Sequence, residues 1–267
     1  MTTASRSFCV LMACLSLSTA ARASDAIVEL RRFDAPEAVQ AVAIDDGHFY
    51  AISNSQIGKY DRNTGELQSR WQASDEYPLT HLNSGIVRDG RLYCAHSNYP
   101  KVPNTSSVEI WDTATLQHVG SHSFGIYEGS LTWIDWKDDS WWAVFAHYSG
   151  RQRDDPKERG HEWTSLVRFD AQWRRLEGWG FPAEVLARFA PNSCSGGVWG
   201  PHNALYCTGH DHKEVYRLTL PKAGSTLILT GTLPAPFTGQ GIAWDRSGGE
   251  FWGIDRPKRQ VIAGRLK

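Results

Sequence analysis

Residues 81–98 read HLNSGIVRDGRLYCAHSN, and residues 106–124 read SSVEIWDTATLQHVGSHSF. The first stretch is an alternating strand, the turn pair Asp89-Gly90, and a second strand that opens on an aromatic. Asp-Gly between alternating segments is a hairpin signal, because both residues tolerate the positive φ of a tight turn. The second stretch adds a third and a fourth strand. Four short strands in succession, with no helical period between them, read as one antiparallel sheet.

The unit recurs on both sides. One copy covers 38–54 and 56–72. A third covers 128–148 and 164–179, a fourth 194–212 and 214–233, and a fifth 239–256 and 260–266. Turn residues divide the first two strands each time: Asp46-Gly47, Asp89-Gly90, Asp138-Asp139, Pro201-His202-Asn203 and Ser247-Gly248-Gly249. The period is about 49 residues, within the range of propeller blades. The chain is therefore expected to be all-β, a five-bladed β-propeller. The fifth copy lacks a fourth strand. A spare strand, Ile27 to Phe33, precedes the first copy and is expected to close the ring as the outer strand of blade five. Closure removes exposed sheet edges. One helical turn is expected at Ala183 to Phe189.

The first residues have the pattern of an export signal. Arg6 is the positive region, Phe8 to Leu17 the apolar run, and Ala21-Arg22-Ala23 a small-x-small cleavage site. The run is too short to span a bilayer. The expected organisation is a signal at 1–23 and one propeller domain at 24–267, soluble in the periplasm or outside the cell. A lipidation reading at Leu11-Met12-Ala13-Cys14 is the alternative. The formal net charge of −1 over 267 residues gives no basic patch for nucleic acid. Twelve Trp suit the wide packing faces of an all-β protein. Of the five Cys, Cys94, Cys194 and Cys207 remain after the signal is removed. Cys194 and Cys207 fall on one hairpin and are the expected disulfide.

In a propeller the loops before the first strand and after the second strand of each blade converge on one funnel. Aligning the inner strands on Asp45, Arg88, Asp135, Gly200 and Asp245 places Gln40, Asn83, Ser130, Ser195 and Gln240 at one level. Strand residues two apart share a face. The next level up holds His81 and Glu128. The second strands end near His96, His147, His210 and Asp255, with Asn54 and Arg256 beside them. Glu128 is the expected base, and His81 or His147 the expected acid. Gln40, Asn83, His96, Ser130, Ser195, His210, Gln240 and Asp255 are the expected ligand contacts. The polar ring alone has another reading, as groups that satisfy backbone and ordered water. No organic cofactor is expected. A divalent metal held by histidine and carboxylate is the competing reading. Long loops at 98–107 and 149–164 flank the same two blades, and long loops commonly bind.

The repeat resembles that of small exported bacterial propellers described as cycloisomerase-like or lactonase-like. Glu109-Ile110-Trp111-Asp112 and Gly241-Ile242-Ala243-Trp244-Asp245 carry the resemblance. It implies ring-opening or ring-closing chemistry on sugar acids. A weaker similarity is to plant-type glutaminyl cyclases, through Phe237-Thr238-Gly239-Gln240-Gly241. The segment Tyr50-Ala51-Ile52-Ser53 departs from that pattern by lacking an acidic residue. Two functions follow as expectations. The first is acid/base catalysis by a monomer on a small polar or sugar-derived ligand. The second is a binding module for a glycan or protein, with Tyr99 and Trp163 as stacking platforms.

Overall fold

The computed structural model describes residues 25–150 and 159–267. The expected signal and the charged run at 151–158 lie outside the described residues. Strand β1 (Ile27–Asp34) comes first. Blade one is β2 (Ala41–Ile44), β3 (His48–Ile52), β4 (Gln56–Asp61) and β5 (Leu67–Gln72). Blade two is β6 (Leu82–Arg88), β7 (Arg91–Ser97), β8 (Ser106–Asp112) and β9 (His118–Gly125). Blade three is β10 (Ser130–Lys137), β11 (Ser140–Ala146), β12 (Ser165–Phe169) and β13 (Arg175–Gly180), followed by α1 (Ala183–Phe189). Blade four is β14 (Gly196–Trp199), β15 (Leu205–Thr208), β16 (Glu214–Thr219) and β17 (Ile228–Pro234). Blade five is β18 (Ala243–Asp245), β19 (Glu250–Asp255), β20 (Gln260–Leu266) and, as its outer strand, β1. Each blade is a four-stranded antiparallel sheet, and together they make the expected five-bladed propeller.

The closing strand pairs along its length, from Ile27 against Leu266 to Asp34 against Gln260. Ala26 and Lys267 exchange backbone hydrogen bonds at 3.1 and 2.9 Å. Arg31 adds a two-pronged contact to Glu250, at 3.3 and 2.6 Å, with its guanidinium over Trp252. At the axis, Gly241 N donates to Gln40 O at 2.8 Å, joining blade five to blade one. A Cβ on Gly241 would stand 2.4 Å from the Ala41 side chain, so this approach needs a glycine.

Sequence chemistry explains the turns. Asp89 and Gly90, and Asp138 and Asp139, all have positive φ, as a two-residue hairpin turn requires. A second device repeats at the turn between the third and fourth strands. Asp61 accepts from the backbone N–H groups of Asn63 and Thr64, Asp112 from Ala114 and Thr115, and Asp170 from Gln172 and Arg174. These carboxylates hold the chain where it reverses.

The inner strands bury apolar side chains at the end of the axis where they finish. Ile44, Ile86, Ile134, Val198, Ile242 and Trp244 enclose about 80 Å³ there. Asp135 sits beside them, 2% exposed, and accepts from the N–H groups of Trp136 and Trp199, both at 2.7 Å. Burial pushes its carboxyl up to about 6. An apolar plug at one end of the axis leaves polar chemistry to the other.

The three described cysteines are buried free thiols. The expected Cys194–Cys207 bridge is not formed. Cys194 Sγ instead donates to Gly196 O at 3.4 Å, and burial, with Cys194 nearby, pushes the Cys207 thiol pKa up. Cys194 precedes β14 rather than standing opposite Cys207, whose cross-strand partner is Gly197.

Candidate functional site

At the start of the inner strands, β6 and β7 bring His81 and His96 to the channel mouth. Burial, His96 and the Arg256 guanidinium lower the His81 pKa to about 4. His81 is therefore a neutral imidazole at ordinary pH. Its ring packs on Tyr99 at 4.9 Å, and Tyr99 on Tyr148 at 4.7 Å. Both tyrosines come from the loops that follow second strands, in blades two and three.

Arg256 follows β19 in blade five. Its Nη1 donates to His210 Nε2 at 3.1 Å, so His210 accepts there and its Nδ1 faces the Asp211 carboxylate at 2.5 Å. Among the described residues no carboxylate pairs directly with Arg256. Burial pulls its pKa below the usual arginine value, with Arg259 adding to the effect. A half-buried guanidinium held through a neutral imidazole is a ready partner for a carboxylate or other anion.

The sequence-derived set divides. His81, His96 and His210 gather at the mouth, with Arg256 between blades. Glu128 does not join them. Its Oε2 accepts from Arg175 at 2.6 Å, and Arg175 lies on the outermost strand of blade three. The strand register gives the reason. Arg88 pairs with Arg91 and Leu82 with His96 in blade two; Lys137 pairs with Ser140 and Leu131 with Phe145 in blade three. Lys137, not Asp135, precedes the turn in blade three. The structural equivalent of His81 is therefore Ser130, and Glu128 stands two residues farther out, about 7 Å along a strand.

The same displacement carries His147 to the rim. Its Nε2–H donates to Glu128 O at 3.2 Å, and burial lowers its pKa. It lines a side cleft of about 130 Å³ with Asn104, Tyr127, Gly129, Tyr148 and Arg159. Asp255 is turned away from the funnel. It pairs with Arg32 of β1 at 3.0 Å and caps the β19–β20 turn at Lys258 N.

The polar ring serves mostly to sew blades together. Asn83 Nδ2 donates to Leu131 O at 3.2 Å and Ser84 Oγ to Thr132 O at 3.1 Å, both from blade two to blade three. Ser130 Oγ donates to Ser97 Oγ at 2.9 Å across the same boundary. Gln240 O accepts from Thr208 Oγ1 at 2.5 Å, and Gln240 Nε2 donates to His210 O at 3.4 Å. Gln40 Nε2 donates to Asn54 Oδ1 at 2.6 Å within blade one. Ser195 Oγ reaches only Ser193 O, at 3.3 Å. Among the described residues no group of three His, Cys, Asp or Glu is arranged to hold a metal ion. No helix among them is long and apolar enough to cross a membrane.

Known structures agree with this architecture. Over 91% of this chain and 97% of the other, it superposes on the glutaminyl cyclase of Myxococcus xanthus, with a TM-score of 0.61 and 12% identity. The resemblance to glutaminyl cyclases is one of fold. The PQQ-bound aldose sugar dehydrogenase of Streptomyces coelicolor matches over 92% and 99% of the two chains, with a TM-score of 0.56 and 12% identity. A luciferin-regenerating enzyme matches over 89% and 95%, with a TM-score of 0.50 and 9% identity. No family model and no curated relative matches the chain.

Arg256 entered the sequence reading only as a neighbour of Asp255. Its signal was position: it follows the second strand of blade five as the histidines follow those of other blades. Ser107 and Glu109 carry no such signal, because they lie on a third strand, away from the loops that converge on the funnel.

Proposed function

We propose that the chain is an exported, monomeric enzyme that transfers a proton on a small anionic, sugar-derived substrate at the channel mouth. The observation that carries the reading is a neutral His81 beside an Arg256 that no described carboxylate pairs with directly, its link to Asp211 running through His210. Arg256 would hold the anionic group, Tyr99 and Tyr148 would wall the ring, and His81 would take the proton. A neutral imidazole is a competent base without prior ionisation. Isomerase and lyase chemistry begin with such a step, and a lactonase would use the same base to take a proton from the attacking water. The fold neighbours named for sugar and cyclase chemistry are compatible with a small polar substrate.

The test is a screen of uronic and aldonic acids and their lactones by NMR, followed by variants on any compound converted. His81→Gln is expected to lower kcat by about 100-fold or more. Arg256→Gln is expected to raise KM. Unchanged turnover in His81→Gln would sink the catalytic role. A binding-only reading is favoured by one feature, two exposed aromatics: Tyr127 (83%), which lines the side cleft, and Trp163 (57%), whose ring lies under the cleft residue Arg159. A glycan retained but never converted would support it.

A further inference from the structure

His96 lies at the end of β7, directly opposite Ser107 of β8. Ser107 Oγ donates to Glu109 Oε1 at 2.6 Å. A serine hydroxyl has one proton. With that proton committed, Ser107 Oγ can only accept from His96 Nδ1, which is 3.0 Å away. His96 Nδ1 therefore carries its hydrogen, and Nε2 carries the lone pair. Nε2 is buried and has no hydrogen-bond partner among the described residues. A buried acceptor left without a donor is costly, so it points to an occupant from outside the protein.

The far end of the chain is equally well held. Glu109 is 5% exposed. Ser121 Oγ donates to its Oε1 at 2.9 Å, and His118 Nε2 lies 2.8 Å from its Oε2. Trp111 and Tyr77 pack against the His118 ring. Four polar side chains thus run along one face of blade two, from the channel mouth toward the outer strand.

We propose that Ser107, Glu109 and His118 form a positioning relay that fixes His96 as a second neutral base beside His81, its Nε2 lone pair kept for a proton of the substrate. The purpose of the relay rests on the proton-transfer reading above; its existence does not. In the step, an O–H or C–H bond of the substrate breaks and its electron pair stays on the substrate. The proton bonds to Nε2. The resulting imidazolium keeps its Nδ1–H on Ser107, and Glu109 offsets the charge through that hydroxyl. Return of the proton to a different substrate atom completes an isomerisation with no oxidant or reductant.

Long-range ¹⁵N–¹H NMR of histidine-labelled, ligand-free protein tests the relay. Wild type is expected to show a pyrrole-type Nδ1 and a pyridine-type Nε2 for His96. Ser107→Ala should move the ring toward the Nε2–H form that free histidine prefers, and Ser107→Thr should keep the wild-type pattern. An Nε2–H form in wild type, or no change in Ser107→Ala, overturns the proposal. On a sugar acid or lactone that wild type converts, Ser107→Ala should lower kcat roughly tenfold with KM held. A lost tautomer with unchanged kcat would overturn the purpose and leave His81 in place. Absence of any turnover would count against the proton-transfer reading, and the NMR result would still decide the relay.

Discussion

Burial, the neighbouring His96 and the Arg256 guanidinium together lower the His81 pKa to about 4, from an ordinary 6.5. Between those values the unfolded chain binds the extra proton and the folded chain does not. Stability contributed by neutral His81 is therefore whole above about pH 6.5 and is lost as pH falls toward 4. Urea melts across that window should show a smaller acid loss for His81→Gln than for wild type; equal slopes would contradict the assignment. Turnover by a base of this kind should stay level down to about pH 5 and then fall. Glu128 makes the opposite case. Its pair with Arg175 is 28% and 48% exposed, so Glu128→Gln should leave turnover unchanged and cost less than about 1 kcal/mol. Circular dichroism melts and the same turnover assay check both halves. Residue types at the mouth were legible in the chain, but their level was not. Asp135 and Lys137 both end plausible inner strands, and only pairing with Ser140 selects Lys137. That two-residue slip keeps the face and changes the height, which is how Ser130 comes to stand at the level of His81 and Glu128 one step beyond it.

Short-range chemistry sets the individual elements, and there the chain was easier to read. All five turns between first and second strands, the helix at Ala183–Phe189 and the closing strand β1 stand where turn residues and alternation put them. Their signals are local, as two-residue turns and period-two patterns are. The role of aspartate in the turns was less visible. Asp245 accepts from Ser247 N and Oγ at 2.9 and 2.7 Å and is paired with Arg62, whose guanidinium lies over Trp252. Burial alone would raise its pKa; Ser247 and Arg62 prevail and hold it at about 2. A depressed carboxylate stabilises above its unfolded pKa near 3.8, and that contribution is lost as pH falls from about 4 to about 2. Asp245→Asn should remove on the order of 2 kcal/mol at neutral pH and flatten the acid arm below pH 4. Chemical denaturation at pH 7 and pH 3 would measure it. A loss of equal size at both pH values would show that packing, not charge, is responsible.

For the molecule as a whole, closure by β1 and β20 dominates. Backbone bonds between Ala26 and Lys267 leave the two ends of the described chain side by side. Joining Lys267 to Asp25 through a short linker, and opening the ring between Asp89 and Gly90, should give a permuted protein with the same far-UV spectrum and one cooperative melt. Asp89 and Gly90 form an exposed turn, the kind of position that tolerates new ends. A permuted protein that melts in two steps would mean that β1 does more than complete a sheet. The twelve-per-cent identity to other propellers fits this picture, since blades need pattern rather than particular residues. The closing pair also imposes a schedule. Among the strands of the described residues, β1 leaves the ribosome first and its partner β20 last. The earliest strand therefore waits through the synthesis of four whole blades before it has anything to pair with. A nascent chain halted short of Gln260 would carry His81, His96, His210 and Arg256, with no sealed ring to hold them together.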